Sequence, residues 1–381
     1  NETNAYPGTE NGLSFRSLNN TRTEQKSPTW LVKLDWNITD DHLLALTAFS
    51  DKRKNERSYY RTNFGDTASP TTKPGRGNYM GTVYSEEGGD NYSLKYTGYL
   101  TENFTLSALA GHGEFTRTNY AREADGTVIR YNGNLNEVVG GCPVITSSRN
   151  WRANNGNTPP PACFMQGTLT RADAKDTRDQ FRLDAEWILG DHMLRFGYDV
   201  DNFETVDGGA YSGNYQYQYN SNLSGTNQFV RRFNIRQGST VKVDQEAFYL
   251  EDTWNITDNF LVYGGVRWDS FENKNGLGQT YVKIDNQFAP RLGFSWDVNG
   301  DSSFKIFGNA GRFALPLTAN VAVRGASASI YEFQDFTYTG IDPETGMPLG
   351  MAPGGQYPEP FYANGETGAA LGLFLWGALV V

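Results

Sequence analysis

Cysteine is nearly absent from this sequence, with 2 in 381 residues, and so are methionine, with 5, and histidine, with 3. Long apolar runs are missing too. A bundle of membrane helices needs repeated runs of about 20 apolar residues, and none occurs before the last few positions. Positive charge is in deficit: 33 Lys+Arg stand against 43 Asp+Glu, a net charge of −10. A nucleic-acid binder shows a basic surplus, so no nucleic-acid partner is expected. What is present argues for β-structure. Aromatics make up 14% of the chain and glycine contributes 42 residues, at a mean hydropathy of −0.58. Disordered chains are poor in aromatics, and coiled coils favour Ala, Leu, Glu and Lys.

The organisation is a series of hairpins. Trp36-Asn37-Ile38-Thr39-Asp40 recurs as Trp254-Asn255-Ile256-Thr257-Asp258, each between two alternating runs. Trp30, Val32, Leu34 and Trp36 share one face, with Lys33 and Asp35 on the other. Period-two alternation gives a strand one apolar and one wet side. The short Asn/Thr/Asp connectors are hairpin chemistry. Three further units turn at Thr101-Glu102-Asn103, at Gly190-Asp191 and over Asp297–Asp301. Five hairpins predict at least ten strands of about 8–12 residues. The other connections, Ser50 to Gly89, Thr116 to Thr177 and Thr205 to Val243, are long and polar. Loops of that length count against a compact soluble domain. They suit an outer-membrane barrel with short periplasmic turns and long extracellular loops.

Tryptophan placement separates a barrel from a soluble sandwich. Trp30, Trp36, Trp187, Trp254, Trp268 and Trp296 gather at strand ends, as membrane-interface aromatics do. A soluble core would hold them at strand centres. The expected fold is therefore all-β: an antiparallel up-and-down transmembrane β-barrel segment of about 10–14 strands. The expectation is an open sheet with hairpins adjacent in chain order.

DNQFAPRLGFSWDVNGDSSFKIFGNAGRFALPLTANVAVRGASAS, from Asp285 to Ser329, resembles the barrel of TonB-dependent receptors of the Oar-like branch. So do WNITDNFLVYGGVRWDSFENKNG and WLVKLDWNITDDHLLALTAFSDKR. The resemblance implies a barrel of about 22 strands, an N-terminal plug and a TonB box contacting the energised inner-membrane complex. The partners it implies are outer-membrane lipid and lipopolysaccharide, an extracellular ligand, and TonB through an N-terminal region. The sequence opens at Asn1 and shows no plug or TonB box, so it reads as a receptor fragment. Residues 1–365 are expected to form part of the barrel, and 366–381 an atypical apolar tail. The competing classes are a secreted glycan-binding module and an outer-membrane enzyme.

Candidate sites are few. Cys142 and Cys163 sit in one Gly/Pro/Asn-rich stretch and read as a loop-stapling disulfide formed outside the cytoplasm; two free thiols are the alternative. His42 and His192 each follow a tight turn, and His112 lies two residues from Glu114. Without a third ligand at sensible spacing these are structural positions, and no catalytic residue, metal or cofactor is expected. Asp297–Asp301 begins like a calcium loop, but Ser302 and Gly308 break the pattern. Lys73-Pro74-Gly75-Arg76-Gly77 lacks the rest of a phosphate loop. Tyr211, Tyr215, Tyr217 and Tyr219 form a candidate ligand loop, since tyrosine gives contact area at small entropic cost; strand extension above the membrane is the alternative. Arg76, Arg231, Arg232 and Arg236 are candidate contacts for lipopolysaccharide phosphate.

Overall fold

The computed structural model describes residues 2–3, 20–63, 75–157, 159–163, 167–319, 321, 323 and 329–362. The apolar stretch 366–381 lies outside them, as do Lys73 and Pro74. The wall consists of β1 (Asn20–Lys26), β2 (Trp30–Thr39), β3 (His42–Ser50), β4 (Arg53–Asn63), β5 (Gly75–Thr101) and β6 (Phe104–Glu123). It continues with β7 (Lys175–Leu189), β8 (His192–Tyr211), β9 (Gln228–Thr257), β10 (Phe260–Lys274), β11 (Thr280–Asp297) and β12 (Lys305–Gly311).

Every wall contact is antiparallel. β3 pairs β2 and β5, β4 pairs β1 and β5, and β6 joins β5 to β7. From there the order follows the chain, β7 to β12. β3 and β4 are therefore two stretches of one line along β5, broken only at Asp51-Lys52. Among the described residues β2 pairs only with β3 and β12 only with β11, so the wall is open at two edges. All five expected hairpins are present. The turn between β7 and β8 is two residues, with Gly190 at φ +60, the left-handed conformation that such a turn requires and glycine adopts without cost.

The strands run longer than the sequence suggested. β5 has 27 residues and β9 has 30, about 100 Å for β9 at the usual rise. A tilted membrane strand needs about 9–11. Two of the connections read as loops, Ser50 to Gly89 and Thr205 to Val243, are largely strand among the described residues, because the ladder satisfies backbone groups in water as well as in lipid, whereas Thr116 to Thr177 holds only short strands and one short helix. Above the wall these extensions build a head. Gln216–Ser221 and β13 (Ser329–Thr337) flank the upper part of β9, and Val144–Ser147 pairs in parallel with Gln216–Ser221. Among the described residues the two largest hydrophobic clusters lie in the head. One contains Ile129, Tyr131, Val139 and Leu169; the other contains Ile145, Trp151, Tyr217, Tyr219, Val230 and Phe336.

Candidate functional site, a two-faced wall and its head

The register aligns one apolar face across the hairpins. Trp36 stands opposite Leu44, and Leu44 opposite Tyr96. Phe181 lies between Ala110 and Val200. Phe196 is flanked by Ala185 and Leu250, and Leu250 by Val266. Val266 meets Pro290, and Leu292 meets Ala310. A single slip between any two strands would turn one strand's apolar set to the other side. The large side chains Trp36, Phe181, Phe196, Leu250 and Leu292 are exposed, Trp36 at 62% and Leu292 at 64%. The tryptophans bracket this face. Trp36, Trp187, Trp254 and Trp296 stand near the tight turns, while Trp30 and Trp268 lie farther along their strands. Beyond Trp268 and Phe248 the next pair on that face is Ser270 and Glu246, so the apolar band stops there.

The alternate positions form a polar face. Asp184 accepts from Arg182 at 2.9 Å and from the Tyr249 hydroxyl. Arg195 donates to Glu186 at 2.7 Å. Arg267 bridges Asp199 at 3.2 Å and Asp269 at 2.8 Å. Arg178 pairs with Asp201, and Arg117 with Asp176. Each of these charges has a cross-strand or same-face partner, which is what a half-buried charged surface requires.

Each histidine has a side-chain partner on a neighbouring strand. His42 Nδ1 lies 2.7 Å from the Tyr96 hydroxyl, and His192 Nδ1 lies 2.8 Å from Asp252 while its ring stacks on Trp254. His112 pairs with Asp179 at 2.7 Å. Among the described residues no group of His, Cys, Asp and Glu could hold a metal ion. The turn after β11 is a hydrogen-bonded loop: Asp297 accepts from the Ser302 amide at 2.7 Å, and Asp301 from the Ser303 amide at 2.9 Å.

Cys142 and Cys163 are bonded to each other, with Cα atoms 5.9 Å apart. The stapled segment carries a short helix, Arg149–Asn154, capped by Ser148, whose hydroxyl accepts from the Trp151 amide. Trp151 Nε1 donates to the Tyr338 hydroxyl at 2.9 Å, and that hydroxyl donates to Gln228 at 3.1 Å. Gly346, at φ +72, lies so close to the Pro161 carbonyl that a Cβ would collide with it. Replacing both cysteines with serine is expected to lower the head's stability by about 3 kcal/mol. Hydrogen exchange over 140–163 should rise while the wall strands keep their protection; equal protection in both forms would refute the staple.

The tyrosine quartet is divided. Tyr217 (6% exposed) and Tyr219 (0%) are core residues. The Tyr219 hydroxyl donates to Gly346 O at 2.8 Å, and burial raises its pKa. Tyr215 lies under Arg232, 4.8 Å from ring centroid to guanidinium carbon. Tyr211 is half-buried. The sequence showed the alternation but not that Trp151 and Phe336 would cover it. Tyr131 is fully buried, its hydroxyl has no hydrogen-bond partner among the described residues, and burial pushes its pKa up to about 12. Three of the four arginines also have internal roles. Arg231 grips Asp335, Arg232 donates to Gln334, and Arg236 donates to the Leu135 carbonyl at 2.8 Å; the Arg76 side chain lies outside the described residues.

The TonB-dependent transporter Oar of Myxococcus xanthus is 28% identical over 213 residues, 49% of this chain and 19% of that protein. The structure of the FpvAI–pyocin S2 complex aligns at a TM-score of 0.46 and 12% identity, over 86% of this chain and 41% of that one. The ferric yersiniabactin uptake receptor FyuA of Yersinia pestis aligns at 0.39 and 13%, over 84% and 44%. The chain thus spans about a fifth of the curated relative and less than half of these two structures. The family model for the TonB dependent receptor-like β-barrel matches residues 5–347, so the chain belongs to that family of Gram-negative outer-membrane barrels.

Proposed function

We propose that this chain is wall and extracellular head of a receptor that captures a ligand with its loops and passes it through a plug-gated barrel, energised by TonB through a region N-terminal to the barrel. The observation that carries this is the single apolar face kept in register from β2 to β12, backed by a charged face. In the reading, the apolar band meets acyl chains, the six tryptophans sit at the two interfaces, and the charged face lines a wet lumen. Lipopolysaccharide headgroups would meet the Lys52–Asp90 and Lys175–Glu114 pairs, which lie on the apolar face's side just above the band. Arg231, Arg232 and Arg236 are committed within the head.

Single cysteines test it in the full-length receptor in cells; the two cysteines of this chain are bonded to each other. Gln180→Cys, on the polar face, should react with an impermeant maleimide several-fold faster when the inner-membrane complex is intact than when it is deleted. Phe196→Cys, in the middle of the apolar band between Ala185 and Leu250, should stay unreactive. Equal rates for Gln180→Cys in both strains would overturn plug-gated transport, and fast labelling of Phe196→Cys would overturn the orientation.

A further inference from the structure

We propose that the head holds a buried site for a small monovalent anion such as chloride, between the Tyr131 hydroxyl and Arg236 Nε. Tyr131 packs with Ile129, Val139, Leu169 and Ala210. Ala210 stands directly opposite Arg236 in the β8–β9 ladder, and directly paired residues send their side chains to one face of a sheet. The guanidinium therefore lies on the face that Tyr131 covers, close enough to act electrostatically on its hydroxyl. Two donors are left over there. The hydroxyl and Nε are both shut off from solvent, and neither has a hydrogen-bond partner among the described residues. Buried polar groups are almost always bonded, so two orphaned donors within reach of one another call for an acceptor.

Charge decides which acceptor. Arg236 donates from Nη1 to the Leu135 carbonyl at 2.8 Å and from Nη2 to Asn214 Oδ1 at 3.1 Å, both neutral oxygens. Its neighbours on β9 are balanced, Arg231 by the buried Asp335 and Arg232 by Glu332. The carboxylate that acts on Tyr131 is already taken: Glu137 accepts from the Asn132 amide at 2.9 Å and from Asn132 Nδ2 at 2.7 Å. Arg171, the other cation beside Tyr131, is closed by Asp173 at 2.7 and 3.0 Å. Arg236 is thus a half-buried guanidinium with no ion pair among the described residues, an arrangement that burial penalises.

One small anion answers both needs: it accepts from the two donors and supplies a single negative charge. A water would accept from both and leave the charge unbalanced. A dianion such as sulfate would bring more charge than one guanidinium matches, among apolar neighbours. The hydroxyl stays protonated and able to donate, because burial pushes its pKa up to about 12. The site would act as a clasp. Asn214 Oδ1 accepts from Arg236 Nη2 and also from the Val139 amide at 2.7 Å, so Arg236 already ties the stretch from Tyr131 to Val139 onto β9. An anion bound only in the folded head stabilises it by mass action, and the hold on that stretch should rise with halide concentration.

Hydrogen exchange of the full-length protein in detergent tests this, with chloride replaced by gluconate at constant ionic strength. Gluconate is too large for a site closed to solvent. Between about 10 and about 300 mM chloride, exchange over 128–139 should slow by about fivefold. Bromide should act as chloride does, and the amides of β7 should not respond, which separates a local site from a general salt effect. Tyr131→Phe removes one donor and keeps the packed ring; Arg236→Gln removes the charge. Each should abolish the chloride response, and the near-ultraviolet dichroism of Tyr131→Phe should show that the head is still folded. Equal exchange over 128–139 in chloride and gluconate would overturn the proposal and leave a water as the occupant. A chloride response that survives in either variant would overturn it too. None of these outcomes depends on the maleimide result at Gln180→Cys, so the anion site and the receptor reading stand or fall separately.

Discussion

Asp335→Ala is expected to unfold the head locally and leave the wall standing. The carboxylate is fully buried and receives four hydrogen bonds: two from Arg231 and two from backbone amides. Alanine would leave a guanidinium with its counter-charge gone, among aromatic rings, and two backbone donors without an acceptor. Breaking a buried pair from one side costs about 3–5 kcal/mol. Hydrogen exchange over 329–337 and 352–362 should accelerate by the corresponding factor, while amides of β7 and β8 remain protected. Asp335→Asn, which keeps one acceptor oxygen, should cost less. The double variant Arg231→Met/Asp335→Leu should recover the part of the loss that comes from the stranded guanidinium, and keep the part that comes from the Gln356 and Tyr357 amides, which leucine also leaves without an acceptor. If Asp335→Ala shifts exchange by less than about 1 kcal/mol, a typical single hydrogen bond, the residue is not the hub of the head.

That pair also marks the limit of what the sequence can tell. Arg231 and Asp335 are separated by 104 positions, and neither lies in a local pattern that names the other. The wall was legible for the opposite reason. Trp30 to Ser50 and Phe181 to Val200 each carry alternation, a short turn and return alternation within about twenty residues, and hairpin pairing is a local matter. Which face was apolar could also be read, because Trp, Leu and Phe share parity along each run. The head was not legible because its faces are decided by long-range covering. Tyr217 and Tyr219 alternate with Gln216 and Gln218 just as exposed strand residues would. They are buried because Trp151 and Tyr338, 187 positions apart, meet over them. Strand length was misjudged for a related reason. Nothing in a polar alternating segment distinguishes a strand that continues into water from a loop that ends one.

Phe196→Arg is expected to cost about 2–4 kcal/mol, the penalty for a cation at the midplane of an outer-membrane barrel's lipid face. Phe196 stands between Ala185 and Leu250, with Leu194 and Tyr198 on the same side of β8 below and above it. Four residues farther up, Val200 stands beside Glu246, where the band gives way to charge, and Val200→Arg should cost only about 0–1 kcal/mol. Ser93→Arg, on the polar face of β5 opposite Thr47 and Gly111, should stay within about 0.5 kcal/mol of the parent. Urea unfolding of the full-length receptor in lipid vesicles, followed by tryptophan fluorescence, measures all three. The profile matters more than any single value. A soluble sandwich would penalise a core arginine regardless of its distance from Glu246, whereas a lipid-facing wall must show the cost rising and falling with depth. Equal costs at Phe196 and Val200, or a larger one at Ser93, would mean that the apolar face meets something other than a bilayer.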